Sequence, residues 1–156
     1  MKVVIIGGRG HVGTYLVPRL VEAGHEVICI SRGQMHPYQP HAAWGKVQQI
    51  SMDRTAAEQD GTFGTQIAAL QADVVIDMIC FTLASAQQLA EALRGKLQHF
   101  LHCGTIWTHG ESRVVPTPED APKDPFGDYG IQKAQIESYL LNEARRGNLP
   151  ATCLHP

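Results

Sequence analysis

The sequence predicts an α/β fold, a doubly wound parallel sheet with helices on both faces, and three observations support this prediction. The apolar run Val3-Val4-Ile5-Ile6 breaks into glycines and then into a helical pattern. Strand-like and helix-like segments alternate along the rest of the chain, which is typical of a parallel sheet. The segment Asp73–Met78 is almost continuously apolar, as expected for a strand covered on both faces. Because crossovers in such sheets are right-handed, we expect the strand order 3-2-1-4-5-6.

The hydrophobic pattern locates each strand and helix in turn. Strands are predicted at Lys2–Ile6, Glu26–Ile30, Lys46–Ser51, Asp73–Met78, His99–Cys103 and Ala151–Leu154. Helices are predicted at His11–Ala23, Thr65–Gln71, Leu83–Arg94 and from about Tyr129 to Arg146, with Asp128 as the N-cap of the last. Pro18 removes a backbone hydrogen bond inside the first helix, so we expect a kink there. Irregular structure is predicted for Gly33–Gly45, Arg54–Gly64 and Gly110–Gly127, which are rich in proline, glycine or polar residues.

Composition and charge exclude several classes of protein. A length of 156 residues predicts a single domain, residues 1–156. The formal net charge of −2 predicts no nucleic-acid-binding surface, and the longest apolar runs are too short to span a membrane. The four cysteines form no C-x-x-C pair, and the eight histidines lack the spacing of metal ligands. We therefore expect reduced, buried thiols, a cytoplasmic location and no metal site.

The turn after the first strand carries the clearest motif. Gly8-x-Gly10-x-x-Gly13 fits the dinucleotide-binding fingerprint, and Gly7-x-x-Gly10-x-x-Gly13 fits its wider-spaced variant. The first glycine lets the chain reverse, Gly10 lets the backbone approach a pyrophosphate, and Gly13 lets the helix lie close to the strand. The flanking strand and helix favour a Rossmann-type domain over an ordinary glycine-rich turn. The predicted cofactor-binding residues are Gly7, Gly8, Arg9, Gly10, His11, Val12 and Gly13, although His11 could equally be exposed to solvent.

The residues after the second strand predict which dinucleotide binds. A fold that prefers NAD usually has Asp or Glu here to hold the ribose hydroxyls. This chain has Ser31 and Arg32 instead, and a hydroxyl and a guanidinium can bind the 2′-phosphate of NADP. We therefore predict that NADP is preferred over NAD. The alternative is that Arg32 is a solvated loop residue.

A tyrosine and a lysine on the last helix form a candidate proton-transfer pair. Tyr129 and Lys133 are four residues apart, so they lie on one face of the helix. A tyrosine phenol by itself titrates near pH ~10, and a nearby ammonium favours the phenolate. Such a pair can exchange a proton with a substrate oxygen while a nicotinamide exchanges a hydride at the same carbon. The alternative is an ordinary amphipathic surface helix.

The glycine turn, the small polar residues after the fifth strand and Tyr-x-x-x-Lys together resemble the extended short-chain dehydrogenase/reductase family, which includes the NAD-dependent epimerase/dehydratases. The resemblance covers essentially the whole chain. It implies that Tyr129 is the acid/base and that Lys133 assists it and holds the nicotinamide ribose. It also implies that Asp53 and Arg54 contact the adenine side, although Asp53 could be a plain turn residue.

The segment Cys103–Gly110 corresponds to the part of the family that carries a catalytic Ser or Thr. Alignment of Gly110 with the family's closing glycine makes Thr105 the residue that hydrogen-bonds the reacting oxygen, with Thr108 as the alternative. The usual serine pair is absent, and His109 stands where the family usually has tyrosine. Trp107 is expected to form a pocket wall or to pack, rather than to stack on a nucleic-acid base.

The resemblance implies an NAD(P)-dependent oxidoreductase or epimerase/dehydratase acting on a hydroxyl or carbonyl carbon of a small molecule, with a nucleotide sugar as one candidate substrate. Family members are usually longer, so we expect a C-terminal substrate-binding region to be missing. A homodimer built on the helices around Leu83–Arg94 and Tyr129–Arg146 is a further expectation. The alternative function is a non-catalytic, redox-sensing regulator or scaffold that binds NAD(P). A nucleic-acid-binding relative is disfavoured by the negative net charge.

Overall fold

Six parallel strands form one sheet at the centre of the molecule. The computed structural model describes residues 1–34, 36–112 and 114–156. The strands are β1 (Lys2–Ile6), β2 (Glu26–Ser31), β3 (Gln48–Ser51), β4 (Val74–Asp77), β5 (His99–Cys103) and β6 (Ala151–Leu154). They lie in the order β3-β2-β1-β4-β5-β6, and each neighbouring pair is parallel. The predicted α/β class and strand order are therefore confirmed.

Helices cover both faces of this sheet. They are α1 (His11–Glu22), α2 (Arg54–Gln59), α3 (Phe63–Ala69), α4 (Leu83–Leu93) and α5 (Gly127–Arg145), with short 3₁₀ helices at Ala42–Lys46 and Ile106–His109. None of the helices in the described part of the chain is both long and apolar enough to cross a membrane.

Alternation along the strands creates two hydrophobic cores, one on each face. On β1, Val3 and Ile5 point to the face where Val17 of α1 packs. Val4 and Ile6 point to the opposite face, which α3, α4 and α5 cover. These four side chains are almost completely buried. A strand buried on both faces needs apolar residues at every position, which explains the unbroken run at the start of the sequence.

The segment between β3 and β4 differs from the prediction. Residues predicted to be irregular form α2, and the next helix begins at Phe63 rather than Thr65. The Asp53 side chain caps α2 by accepting a hydrogen bond from the Ala56 backbone N–H at 3.2 Å. A helix of six residues has too few turns to show a hydrophobic period, so the pattern gave little sign of it.

Two helix termini also depart from the sequence-based expectation. The predicted cap Asp128 lies inside the first turn of α5, and Phe126 occupies the N-cap position without a side-chain hydrogen bond. A carboxylate in the first turn still stabilises the helix through its interaction with the positive end of the helix dipole. The first helix continues through Pro18 from His11 to Glu22, so any bend at the proline does not divide it.

Candidate functional site

The carboxyl ends of four strands surround a cleft of about 370 Å³. The residues that line it come from the turns after β1, β2, β3 and β4, and they include Gly7, Arg9, Gly10, Ser31, Arg32, Gln34, Asp53, Arg54, Ile79 and Phe81. Ligands of open parallel sheets bind outside the carboxyl ends of the strands, where the connections diverge. Seven residues predicted from the sequence to bind the cofactor therefore lie around one cleft: Gly7, Arg9, Gly10, Ser31, Arg32, Asp53 and Arg54.

The glycine turn owes its shape to close backbone packing. Gly7 has a φ of +85°, a conformation that favours glycine, and its N–H donates to the Ile30 carbonyl at 2.9 Å. A Cβ atom on Gly13 would lie 1.9 Å from the Gly8 carbonyl oxygen, so α1 could not approach the turn with any larger residue there. A Cβ on Gly10 would meet nothing closer than 3.8 Å, so the space beside Gly10 is open.

The N-terminus of α1 faces this turn without a side-chain cap. Its first N–H groups and the positive end of the helix dipole are therefore suited to bind phosphate. His11 and Val12 do not line the cleft. The exposed His11 ring instead contacts the rings of Tyr15 and Tyr38, with centroids 5.8 and 5.7 Å away. The His11 side chain is thus exposed to solvent, and its contact with a cofactor stays a prediction.

Ser31, the last residue of β2, and Arg32, which follows it, differ in their contacts. The Ser31 Oγ accepts a hydrogen bond from the Gly33 N–H at 3.2 Å, which leaves its own hydroxyl hydrogen available. Arg32 is exposed and lines the cleft next to Ser31. No acidic residue stands between Ser31 and Gln34.

The Arg54 guanidinium lies in a buried ion-pair network. It donates to both oxygens of Asp77 at 2.8 and 3.0 Å and to Glu58 at 2.6 Å. Asp77 is 1% exposed and also accepts from the Ile79 N–H at 3.3 Å. Arg54 therefore joins the ends of β3 and β4 and helps to form the floor of the cleft. Asp53 lines the cleft and also caps α2, which is the structural role expected of a turn residue.

Lys133 of α5 is buried beside the end of β5. Its side chain is among the largest that are fully buried, and the ammonium donates to the Cys103 carbonyl at 2.8 Å. Burial lowers the pKa of Lys133. The Nζ atom lies 5.9 Å from the centroid of the Tyr129 ring. The two side chains thus share one face of the helix, as the spacing predicts, and Tyr129 stays 43% exposed and accessible to a ligand.

Phe81 connects the Tyr129–Lys133 pair to the cleft. Its ring lines the cleft, and its centroid lies 6.5 Å from the centroid of the Tyr129 ring. The Lys133 Nζ atom lies 5.2 Å from the same Phe81 centroid. Tyr129 and Lys133 do not line the cleft themselves, but both contact Phe81, which does. The sequence reasoning missed Phe81. Phe81 lies four residues after the end of β4, at the edge of the sheet where ligands bind, and this position could have identified it as a residue of the cleft.

The two threonines after β5 have different hydrogen bonds. Thr105 is 7% exposed and caps the 3₁₀ helix Ile106–His109, with its Oγ accepting from the Trp107 N–H at 3.3 Å. The Thr105 hydroxyl hydrogen remains available to a ligand. The fully buried Thr108 uses its hydroxyl hydrogen on the Thr105 carbonyl at 3.1 Å. This arrangement favours Thr105 over Thr108 as the residue that contacts a substrate oxygen.

The thiols and histidines take no part in this cleft. Burial raises the pKa of Cys29, Cys80 and Cys153 to about 12, so these thiols stay protonated at neutral pH. Burial also lowers the pKa of His102 to about 4, which keeps that imidazole neutral. Within the described ranges, no group of three or more His, Cys, Asp or Glu residues could hold a metal ion.

Comparison with known proteins identifies similar sequences and folds. Residues 3–156 match the model of the NAD dependent epimerase/dehydratase family. A 2'-dehydrokanamycin reductase of Streptomyces kanamyceticus is 28% identical over 88% of this chain and 37% of its own length. A UDP-glucose 4-epimerase of Corynebacterium glutamicum is 26% identical over 99% of this chain and 50% of its own length. The chain thus spans half or less of the length of these curated relatives.

A solved structure shows the same fold. The Bordetella bronchiseptica enzyme WbmG in complex with NAD superimposes with a TM-score of 0.72 at 21% identity, covering 99% of this chain and 52% of that one.

Proposed function

The chain belongs to the NAD dependent epimerase/dehydratase family, and on that premise we propose that it transfers a hydride between a nicotinamide cofactor and a hydroxyl or carbonyl carbon of a small molecule. Reduction and epimerisation both use this step, and the relatives include a reductase and epimerases of UDP-glucose. We assign Tyr129 as the acid/base and Lys133 and Thr105 as its partners. A sugar or a nucleotide sugar is the proposed substrate class.

The observation that carries this proposal is the shared wall formed by Phe81. The ring of Phe81 lines the cleft that contains the glycine turn and also contacts Tyr129 and Lys133. We infer that a dinucleotide held by the turn would extend past Phe81 toward the Tyr129 phenol. The uncapped N-terminus of α1 and the open space beside Gly10 fit its pyrophosphate.

Tyr129, Thr105 and Lys133 have different roles in the proposed proton transfer. A bound nicotinamide would supply or accept the hydride. During reduction, the Tyr129 hydroxyl gives its proton to the substrate oxygen, and the Thr105 hydroxyl donates a hydrogen bond to the same oxygen. The Lys133 ammonium stabilises the phenolate left behind and has two further N–H groups besides the one bound to Cys103. During oxidation the same steps run in reverse.

We propose that NADP is preferred over NAD. Ser31 and Arg32 line the cleft at the end of β2, where a carboxylate would be needed to favour the 2′-hydroxyl of NAD. The Arg32 guanidinium can form charge-assisted hydrogen bonds with a 2′-phosphate.

A thermal-shift titration with NADP and NAD side by side tests this preference. NADP at 100 times its dissociation constant should stabilise the fold by ~2.7 kcal/mol. We expect Arg32→Ala to weaken NADP binding roughly 10- to 100-fold, because a hydrogen bond to a charged group is worth about 1.5–3 kcal/mol, and to leave NAD binding almost unchanged. Arg19→Ala, which removes an exposed arginine of α1 outside the cleft, is the matched control. Equal shifts with the two dinucleotides would contradict the preference.

A non-catalytic NAD(P)-binding regulator or scaffold is the second candidate, because the glycine turn and the cleft around it could hold a dinucleotide whether or not Tyr129 transfers a proton. Oxidation of the reduced cofactor with a panel of carbonyl compounds separates the two functions. A regulator would bind the dinucleotide and turn over none of the compounds.

A further inference from the structure

The connection between β4 and α4 carries Phe81 and is fixed near both of its ends. Near its start, the buried Asp77 carboxylate accepts a hydrogen bond from the Ile79 N–H at 3.3 Å. At its end, the N–H of Leu83, the first residue of α4, donates to the side-chain oxygen of Gln132 on α5 at 3.0 Å. Phe81 lies between these two points and is 53% exposed. Because the Phe81 ring is only half-buried, its position depends on how the backbone of this connection is held.

The hydrogen bond at Leu83 satisfies a backbone group that α4 cannot satisfy by itself. The first four N–H groups of an α-helix have no acceptor within the helix. In α4, the Thr82 side chain accepts from the Ser85 N–H at 3.2 Å, as an N-cap residue usually does. The Leu83 N–H instead finds its acceptor 49 positions away in the chain. A backbone N–H can only donate, so the amide oxygen of Gln132 must face α4. Helix α5 therefore supplies one of the caps of α4.

Gln132 lies on the same turn of α5 as the candidate proton-transfer pair. It is half-buried, follows Tyr129 in the helix and directly precedes Lys133. Across the same junction, the Phe81 ring centroid lies 6.5 Å from the Tyr129 centroid and 5.2 Å from the Lys133 Nζ atom. The hydrogen bond of Gln132 thus ties the backbone beside Phe81 to the helical turn whose side chains Phe81 contacts. It restricts the separation between the ring that lines the cleft and the pair on α5.

We propose that Gln132 is a positioning residue, which holds the β4–α4 connection against α5 and so keeps the Phe81 ring in contact with Tyr129 and Lys133. This inference rests on the proposed function, in which a dinucleotide extends past Phe81 toward the Tyr129 phenol. Without the hydrogen bond, the connection can shift relative to α5, and the ring then no longer sets the path of the dinucleotide. The competing explanation is that Gln132 caps α4 and contributes only to the stability of the fold.

NMR of the protein without any ligand tests the positioning directly. Gln132→Leu keeps a side chain of similar size and removes the acceptor. We expect the nuclear Overhauser signal between the Phe81 and Tyr129 rings to fall severalfold. The Leu83 amide should exchange with solvent roughly twofold to tenfold faster, the equilibrium effect of one lost hydrogen bond. Gln132→Glu retains an acceptor oxygen, which a helix N-terminus favours, and should behave as the wild type. Gln135→Leu, at an exposed glutamine of the same helix, is the matched control and should change neither signal.

A double-mutant cycle separates positioning from stability. The affinity for NADPH is measured by fluorescence titration of the wild type, Gln132→Leu, Phe81→Ala and the double variant. Gln132→Leu should weaken NADPH binding roughly twofold to tenfold when Phe81 is present, because the loss corresponds to one hydrogen bond. In the Phe81→Ala background the same substitution should weaken binding less than twofold, because its effect passes through the ring. A purely structural role would give the same loss in both backgrounds.

An unchanged signal between the Phe81 and Tyr129 rings in Gln132→Leu would overturn the proposal. Loss of that signal in Gln132→Glu to the same extent as in Gln132→Leu would also overturn it, as would equal losses of NADPH affinity in the two backgrounds. The NMR measurement needs no dinucleotide. Absence of NADPH binding in every protein would therefore contradict the proposed function, while the ring signal would still decide whether Gln132 positions Phe81.

Discussion

Replacement of Tyr129 by phenylalanine is expected to lower turnover about 10²- to 10⁴-fold, the range that a general acid/base contributes. The ring and its contacts with Phe81 and Trp107 would remain, so dinucleotide binding should change little. Turnover is measured as oxidation of the reduced nicotinamide with a panel of carbonyl compounds, and cofactor affinity by thermal shift on the same samples.

Tyr15→Phe is the matched control for this variant. Tyr15 is a half-exposed tyrosine of α1 whose ring contacts that of His11, and it does not line the cleft. We expect its substitution to leave turnover unchanged. If Tyr129→Phe retained wild-type turnover, Tyr129 would not be the acid/base.

Alanine at position 13 is expected to destabilise the fold by ~3 kcal/mol or more, at or above the upper end of ordinary overpacking. The added Cβ would lie 1.9 Å from the Gly8 carbonyl oxygen and 2.4 Å from its carbon, and both of these atoms belong to the backbone. Relief requires α1 to move away from β1, which would open the core around Val17. Urea unfolding of the two proteins measures the difference in the free energy of unfolding.

Gly10→Ala provides a contrast within the same turn. Its Cβ would have no neighbour closer than 3.8 Å, and the backbone at Gly10 is extended, with a φ of −80°. We therefore expect unfolding to be almost unchanged and dinucleotide binding to be weakened, because the methyl group would occupy space that the pyrophosphate needs. Equal loss of stability in the two variants would contradict this division between packing and binding.

Local pattern was sufficient for the strands and for the turn that precedes α1. The bounds of β1, β5 and β6 agree with the predicted ones, because each is a short, mainly apolar segment bounded by glycine, proline or polar residues. The chirality of crossovers then determined the strand order without any knowledge of side-chain contacts. Helix α2 was missed as a whole, because six residues are too few to show a hydrophobic period.

Arg54 illustrates what a local pattern misses in the candidate site. From the sequence it was expected to contact a ligand, and in the structure its guanidinium is held by Asp77, 23 positions away in the chain. Phe81 and Trp107 show the same limit, because the first lies between β4 and α4 and the second between β5 and α5, and both reach Tyr129 only when these two connections pack together.

The sequence by itself determined the alternation of strands and helices, the glycine turn and the spacing of Tyr129 and Lys133. These features are set by backbone conformation and by periodicity along neighbouring residues. Only the tertiary structure decided that Phe81 contacts both this pair and the cleft, that Arg54 is bound in an ion pair, and that Trp107 stacks on Phe126. Each of these depends on contacts between side chains far apart in the chain, which are fixed only when the sheet and its connections pack together.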